Sequence, residues 1–316
     1  MKQIFTLLLA IVASVGTMFA EIYSGTCGNY YNGWKVESNT VTWSLNTEDS
    51  TLVIDGYGEM EDWNLENPGL MQGEQITAPW GYEKAPLVAH VVIGKDISRI
   101  GEFSFSTCNN IVSIIVDSQN TVLDSRDGCN AVIETQTNKL VAGCKGTIIP
   151  NTVTTIGTYA FCYCSELMSI DVPNSVTTIE YWAFANVLNV NYSGTATGAP
   201  WGARSYNGVI DGYFAYSDNT KKHLNACLYT AKGDVVIPNG VVCIGEKAFY
   251  DCIQITSIDI PNTVTSIGTS AFSGCDRLSS LTIPEQVRTV GANIISSMYA
   301  YHFSVIWNGN YTFSVF

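Results

Sequence analysis

The residues that could do chemistry in this chain of 316 residues are ten cysteines, three histidines and a few neighbouring carboxylates. Thiolates and imidazoles bind zinc, and a thiolate activated by a histidine acts as a nucleophile. Cys162 and Cys164 have one residue between them, which is not the Cys-x-x-Cys spacing of redox and zinc motifs. No second pair follows at zinc spacing. We therefore expect no metal site.

The histidines and carboxylates form no catalytic arrangement in the sequence. His90 lies in an apolar run, His223 follows two lysines, and His302 lies beside a predicted hairpin. Nothing orients Glu59 and Glu61 as a general acid and a general base. The chain also lacks a G-x-S-x-G elbow, a Walker loop and an H-E-x-x-H motif. The sequence therefore predicts a protein that is not an enzyme, has no catalytic residues and needs no cofactor.

Four of the cysteines belong to internal repeats, which are the elements that would position them. The segment 173–179, Pro-Asn-Ser-Val-Thr-Thr-Ile, reappears at 261–267 as Pro-Asn-Thr-Val-Thr-Ser-Ile. The step between copies is 23 residues, for example from Ile244 to Ile267. Each copy continues with a small residue and a phenylalanine, and often with a cysteine, as at Phe161, Phe249 and Phe272 and at Cys108, Cys164, Cys252 and Cys275.

A repeat of this length predicts a solenoid, because leucine-rich repeats use about 20–29 residues per coil. The apolar triplets that close each unit, such as Ile255, Ile258 and Ile260, should form parallel strands about 4.8 Å apart. The phenylalanine should fill the space between the walls of the coil, and the cysteine should be a buried free thiol. The glycine after each isoleucine, such as Gly245, should permit a turn conformation that other residues resist.

These repeats resemble the BspA-like class of bacterial leucine-rich repeats, the leucine-rich repeat 5 class. The shared pattern is Ile-Pro-Asn-x-Val-x-x-Ile-Gly-x-x-Ala-Phe-x-x-Cys-x-x-Leu-x-x-Ile-x-Ile, and it covers about residues 88 to 291. The resemblance implies a β-rich solenoid that is secreted or displayed at the cell surface. Several members of that family act as adhesins for host proteins or other bacteria, so the resemblance also implies protein binding without catalysis.

The predicted organisation has four parts. They are a signal peptide at 1–20, an N-terminal β cap at 21–87, the solenoid at 88–291 and a C-terminal cap hairpin at 292–316. Two inserts, at about 117–148 and 193–236, interrupt the solenoid, and we interpret them as enlarged repeats that carry hairpins. Caps are expected because the open ends of a solenoid expose unpaired strand edges. A divergent or truncated repeat is the alternative for the C-terminus.

The N-terminus has the pattern of an export signal. Lys2 precedes an almost wholly apolar run from Ile4 to Phe19, and Ala20 is a small residue suited to cleavage before Glu21. A membrane anchor is the alternative interpretation. No later apolar run approaches the roughly 18 residues of a membrane span, so we expect no membrane insertion after cleavage. The net charge of −13 argues against binding to nucleic acid.

The main functional hypothesis is protein binding by the outward face of the predicted strands. Solenoids offer long, regular surfaces that suit protein ligands. The candidate binding residues are small or acidic: Ser169, Asp171, Thr256, Ser257, Asp259, Ser280 and Thr282. The expected partner is an extracellular or surface protein. Two alternatives are a structural surface or spacer protein and a glycan-binding module that uses Trp201 and Tyr206 of the second insert as stacking platforms.

Export would place the cysteines in an oxidising compartment, where disulfides form. Cys129 and Cys144 are the best candidates for a disulfide, and Cys227 with Cys243 is a weaker pair. The cysteines of the repeated position are predicted to stay unpaired, because their side chains should run parallel in adjacent coils.

Overall fold

The structure is a computed structural model of the chain. It describes residues 21–28, 30–31, 34–35, 40–63, 78–105, 108–162, 164, 166–296, 303–307 and 311–315. The predicted signal peptide and His302 lie outside these residues. Almost all regular structure in the described part is β-strand.

Antiparallel strands lead into parallel ones in the first part of the chain. Its elements are β1 (Ile22–Thr26), β2 (Tyr30–Tyr31), β3 (Trp34–Lys35), β4 (Thr42–Asn46), β5 (Thr51–Asp55), β6 (Gly58–Glu59), α1 (Gly81–Lys84), a 3-10 turn (Ala85–Leu87), β7 (His90–Ile93), β8 (Ile97–Arg99) and β9 (Ser113–Val116). One sheet has the order β1–β4–β5–β7–β9. Strands β1, β4 and β5 are antiparallel, whereas β5, β7 and β9 are parallel.

The segment predicted as the first insert contains β12, the strand on which the next coils stack, and its interpretation as an enlarged repeat stays a prediction. The elements here are β10 (Leu123–Asp124), a 3-10 turn (Arg126–Gly128), β11 (Ala131–Glu134), β12 (Lys139–Gly143), β13 (Thr155–Ile156), β14 (Ile170–Asp171), β15 (Thr178–Ile179) and β16 (Val190–Asn191). Strands β10, β11 and β12 are antiparallel, and β13 and β15 then join β12 in parallel.

The segment predicted as the second insert contains β19, on which the last coils stack, and its interpretation as an enlarged repeat likewise stays a prediction. The elements are β17 (Val209–Asp211), β18 (Phe214–Tyr216), β19 (His223–Cys227), β20 (Lys232–Val236), β21 (Cys243–Ile244), β22 (Gln254–Asp259), β23 (Ser266–Ile267), β24 (Ser280–Ile283), β25 (Thr289–Val290), β26 (Phe303–Trp307) and β27 (Tyr311–Val315). Antiparallel β17–β18–β19 lead into parallel β21, β23 and β25. Strand β26 is parallel to β24, and β27 turns back along it. A capping role for the terminal antiparallel strands stays a prediction.

Each regular coil therefore has two strands. One set, which we call the front strands, consists of β5, β7, β9, β14, β16, β20, β22, β24 and β26. The other set forms a side ladder, in which Ile156 pairs with Ile179 and Ile244 with Ile267, each 23 residues further along. The predicted β-rich solenoid with parallel strands and a 23-residue period is confirmed.

The phenylalanines fill the space between front strands and side ladder, as predicted. Phe161 and Phe184 are fully buried and stack with ring centroids 5.1 Å apart, and Phe249 and Phe272 stack at 5.2 Å. The ring of Phe214 meets Phe249 edge-on at 6.1 Å, so Phe249 is enclosed on both sides. Stacked rings of this kind give stability beyond the apolar area that they bury.

The repeated glycine has a different role from the one predicted. The glycines at 101, 157, 245, 268 and 291 do not have the positive φ that a left-handed turn would require. A Cβ on Gly268 would instead lie 2.5 Å from the Glu246 backbone nitrogen and 2.6 Å from the carbonyl carbon of Gly245. Glycine is required here because the backbones of successive coils approach too closely for any side chain.

The left-handed conformation occurs two residues later, at residues that are not glycine. The φ values are +59° at Phe103, +55° at Tyr159, +49° at Trp182, +55° at Lys247, +53° at Ser270 and +50° at Asn293. Such a conformation costs a non-glycine residue about 1–3 kcal/mol and is unusual for a bulky side chain. The coil therefore imposes this backbone conformation whatever residue occupies the position.

Candidate binding surface

The predicted binding residues all lie on or beside front strands, but they form two separate groups. Ser169 and Asp171 lie at β14, whereas the other five lie on β22 and β24. All are exposed except Ser169, which is half-buried. The coils of the second insert lie between the two groups along the chain, so the structure does not bring all seven residues together.

The first group is part of a hydrogen-bonded network. The Asn191 side chain donates to Asp171 Oδ1 at 2.8 Å and to Ser169 Oγ at 3.1 Å. Asn189, whose side chain is buried, donates to Asn191 Oδ1 at 2.7 Å. These bonds hold the carboxylate of Asp171 in one position at the surface.

The second group surrounds Asp234, a residue that sequence reasoning missed. Ser257 Oγ donates to Asp234 Oδ1 at 2.6 Å, and Thr256 Oγ1 donates to the same oxygen at 3.2 Å. The hydrogen bonds from Ser257 and then Thr256 lower the pKa of Asp234. A sequence signal exists, because the run 235–238, Val-Val-Ile-Pro, matches 258–261, Ile-Asp-Ile-Pro, and places Asp234 in register with Ser257.

One outward row on the front strands of the first part of the chain is apolar. Val53, Val92 and Ile115 are in register on β5, β7 and β9, and Ile115 is 53% exposed. Beside this apolar row, His90 Nδ1 lies 2.8 Å from Ser113 Oγ. The candidate binding residues named from the sequence do not include this row. The surface changes along the chain from an apolar row to exposed carboxylates.

Of the two predicted stacking platforms, Trp201 is packed inside the protein, whereas Tyr206 is 39% exposed. Trp201 is 6% exposed, and its Nε1 donates to the Thr197 carbonyl at 2.8 Å. The rings of Tyr192 and Tyr206 meet it edge-on, each at 5.6 Å. The Tyr206 hydroxyl donates to the Tyr192 carbonyl at 2.8 Å. The ring face of Trp201 is therefore closed to a sugar.

The ten cysteines are free thiols in the structure. Cys129 Sγ lies 3.7 Å from the Ala131 carbonyl oxygen, and Cys144 Sγ lies 3.4 Å from that of Asn130. Burial raises the pKa of both thiols. The Cys129–Cys144 disulfide and the weaker Cys227–Cys243 pair stay predictions.

The described residues contain neither a cluster of metal ligands nor a membrane-spanning helix. No group of three or more histidine, cysteine or acidic side chains there is arranged to hold a metal ion. No described helix combines the length and apolar character needed to cross a membrane.

The repeats match a known family model, and the fold has counterparts among solved structures. The model of the BspA type leucine-rich repeat region matches residues 82–130, 138–195 and 225–314, in six copies. No curated protein matches significantly. A leucine-rich repeat protein from Eubacterium ventriosum is 23% identical, with a TM-score of 0.31, over 86% of this chain and 68% of that one.

Two more solved structures are similar at lower identity. The pneumococcal vaccine antigen PcpA is 14% identical over 70% of this chain, with a TM-score of 0.29, and this chain covers 45% of its length. A leucine rich cell surface protein from Faecalibacterium prausnitzii is 16% identical over 81% of this chain and 84% of that one, with a TM-score of 0.26. The match of the family model covers more than half of this chain.

Proposed function

Because the chain belongs to the BspA-type leucine-rich repeat family, we propose that it is an exported protein that binds another protein through its front strands. Solenoids of this kind offer extended, regular surfaces that suit macromolecular partners. Its role on this proposal is attachment or adhesion at the cell surface or outside the cell, without catalysis.

The observation that carries the proposal is the exposed face of the front strands. Its apolar row ends at Ile115, which is 53% exposed although a buried position would be more favourable for such a side chain. Further along, the exposed carboxylates of Asp171, Asp234 and Asp259 lie on the same kind of strand. A partner with an apolar patch flanked by basic residues would complement both parts of this surface.

Export is supported by the sequence from Lys2 to Ala20, a positive start followed by an apolar run and a small residue. We expect the secreted protein to begin at or near Glu21. N-terminal sequencing of protein recovered from the surface and from the medium measures this directly. Recovery of chains that begin at Met1 would contradict export by cleavage of this segment.

Charge reversal on the front strands tests the binding surface. Partners are first captured from host extracellular matrix and bacterial surface extracts. Changing Asp171 and Asp259 to lysine together should then slow association about tenfold, because both carboxylates steer a basic partner towards the face. Surface plasmon resonance at two salt concentrations measures the rate, which for the parent protein should fall as salt rises.

The matched control reverses Glu246 and Glu285, two exposed carboxylates that are not on front strands. This control should associate like the parent protein. Both double variants should melt within a degree or two of the parent, since exposed charges contribute little to stability. Equal slowing in the two variants would contradict a front-strand site. Self-assembly without any captured partner would support the structural spacer role instead.

A further inference from the structure

Four aromatic side chains form a continuous row on the turns that follow the side ladder. We call Phe103, Tyr159, Tyr181 and Trp182 the aromatic ridge. The ring centroids of Phe103 and Tyr159 are 4.2 Å apart, those of Tyr159 and Tyr181 are 5.8 Å apart, and those of Tyr181 and Trp182 are 5.9 Å apart. Tyr181 is 65% exposed and Trp182 is 48% exposed. Exposed aromatic surface in a row of this kind marks an interaction site more often than a structural one.

The backbone conformation of three ridge residues is energetically unfavourable for an aromatic side chain. Phe103, Tyr159 and Trp182 occupy the left-handed position, where the equivalent coils in the last part of the chain have Lys247, Ser270 and Asn293. Asparagine tolerates this conformation better than an aromatic residue. Folding alone therefore does not explain three aromatic residues at strained positions with their rings in contact with water. Residues whose own conformational preference opposes the backbone conformation that they adopt are typical of functional sites.

A cleft opens at one end of the ridge, beside Phe103 and Tyr159, between residues 99–105 and residues 139–145. Its volume is about 150 Å³, and its lining includes Phe103, Tyr159, Glu102, Asn109 and Lys145. An apolar cavity of similar volume holds one six-membered ring. The cleft can therefore accept a ring-sized group beside the aromatic rings.

The cationic side chains that line the cleft are already paired within the protein. Lys139 Nζ lies 2.9 Å from Glu180, Lys145 Nζ lies 3.6 Å from Glu166, and Arg99 is bonded to Asp62. Burial raises the pKa of Glu180, but hydrogen bonds from Lys139 and Thr158 outweigh this effect and leave the pKa below its ordinary value. The site therefore presents no free cluster of cations for an anionic ligand, and its lining includes two carboxylates, those of Glu102 and Glu134.

From this combination we propose that the aromatic ridge and its cleft bind a neutral carbohydrate chain. A pyranose ring has an apolar face of C–H groups, which packs on an aromatic ring, and a rim of hydroxyl groups. The exposed side chains of Glu102 and Asn109 at the cleft offer acceptors and a donor for those hydroxyls. The site lies on the turns, not on the front strands, and goes beyond the proposed function.

The test uses the purified protein on an array of neutral and acidic glycans, followed by calorimetry with the best neutral ligand. The two ridge variants are Tyr181→Ala and Trp182→Asn. Tyr250→Ala is the matched control, because Tyr250 is a tyrosine that is 42% exposed and lies outside the ridge. We expect the ridge variants to weaken binding of the neutral glycan about tenfold, whereas the control binds like the parent.

The asparagine variant separates binding from folding. Because asparagine suits the left-handed position, Trp182→Asn should melt at or above the temperature of the parent while it loses glycan binding. Binding to acidic glycans only, binding to no glycan, or neutral-glycan binding unchanged in both ridge variants would overturn the proposal. A captured protein partner lost on Trp182→Asn would also overturn it and assign the ridge to protein binding. The outcome is independent of the test with Asp171 and Asp259.

Discussion

Replacing Phe249 with alanine is expected to lower the free energy of unfolding by about 3–5 kcal/mol. The side chain is fully buried between Phe272, stacked at 5.2 Å, and Phe214, which meets it edge-on at 6.1 Å. Rings on both sides belong to other coils, so the space left by the truncation cannot be filled without moving two coils. Urea denaturation followed by circular dichroism measures the change.

The neighbouring residue provides the control. Tyr250 is 42% exposed and lies 5.8 Å from the Lys247 ammonium group, so Tyr250→Ala should cost less than about 1 kcal/mol. A repeat array need not unfold in one step, and the two variants should therefore be compared by the same transition of the same probe. Equal melting of Phe249→Ala and the parent would show that the phenylalanine stack does not hold the coils together.

The second large effect is expected for Gly268→Ala, which should destabilise the protein by about 1–3 kcal/mol or more. A Cβ at this position would lie 2.5 Å from the backbone nitrogen of Glu246. Backbone atoms cannot rotate away as a flexible side chain can, so the two coils would have to separate and weaken the pairing of Ile244 with Ile267. Thermal and urea unfolding of the variant measure the loss.

Thr269→Ala is the control for this glycine. Thr269 is exposed and adjacent in sequence, so its truncation should change stability by less than about 0.5 kcal/mol. The hydrogen bond from the Gly268 N–H to the Ile244 carbonyl, at 2.8 Å, should be lost or lengthened in Gly268→Ala. Faster amide hydrogen exchange at residue 268 would report this change. Wild-type exchange and stability in Gly268→Ala would contradict the close-approach argument.

The apolar positions of the coil could be predicted because burial repeats with the sequence period. Phe161, Phe249 and Phe272 recur at one position of the repeat, and each is buried at the equivalent position of its own coil. The role of Gly268 could not be predicted in the same way, since a sequence shows that a side chain is missing but not which neighbour comes close. Reasoning from φ preference alone therefore assigned the glycine a left-handed conformation that it does not adopt.

The candidate site was harder to predict than the fold. The segments predicted as inserts change the spacing between repeats. Asp234 was therefore not recognised as a front-strand residue, although its strand β20 pairs in register with the regular strand β22. The ridge was missed because propensity disfavours left-handed aromatic residues. Its signal was the shared position of Phe103, Tyr159 and Trp182, each directly before the small residue of the repeat pattern, which single-residue preferences do not reveal.

Each coil contributes one front strand and one strand of the side ladder, and this arrangement determines how the protein would respond to mechanical load. Neighbouring coils are joined by hydrogen bonds and packing that run along the axis of the solenoid. A pulling force along this axis would open the coils one at a time rather than shear whole sheets. Each regular coil that opens would release 23 residues, or at most about 80 Å of extended chain. A protein of this construction that joins two surfaces under flow would lengthen in steps and keep its remaining coils, and any ligand held there, intact.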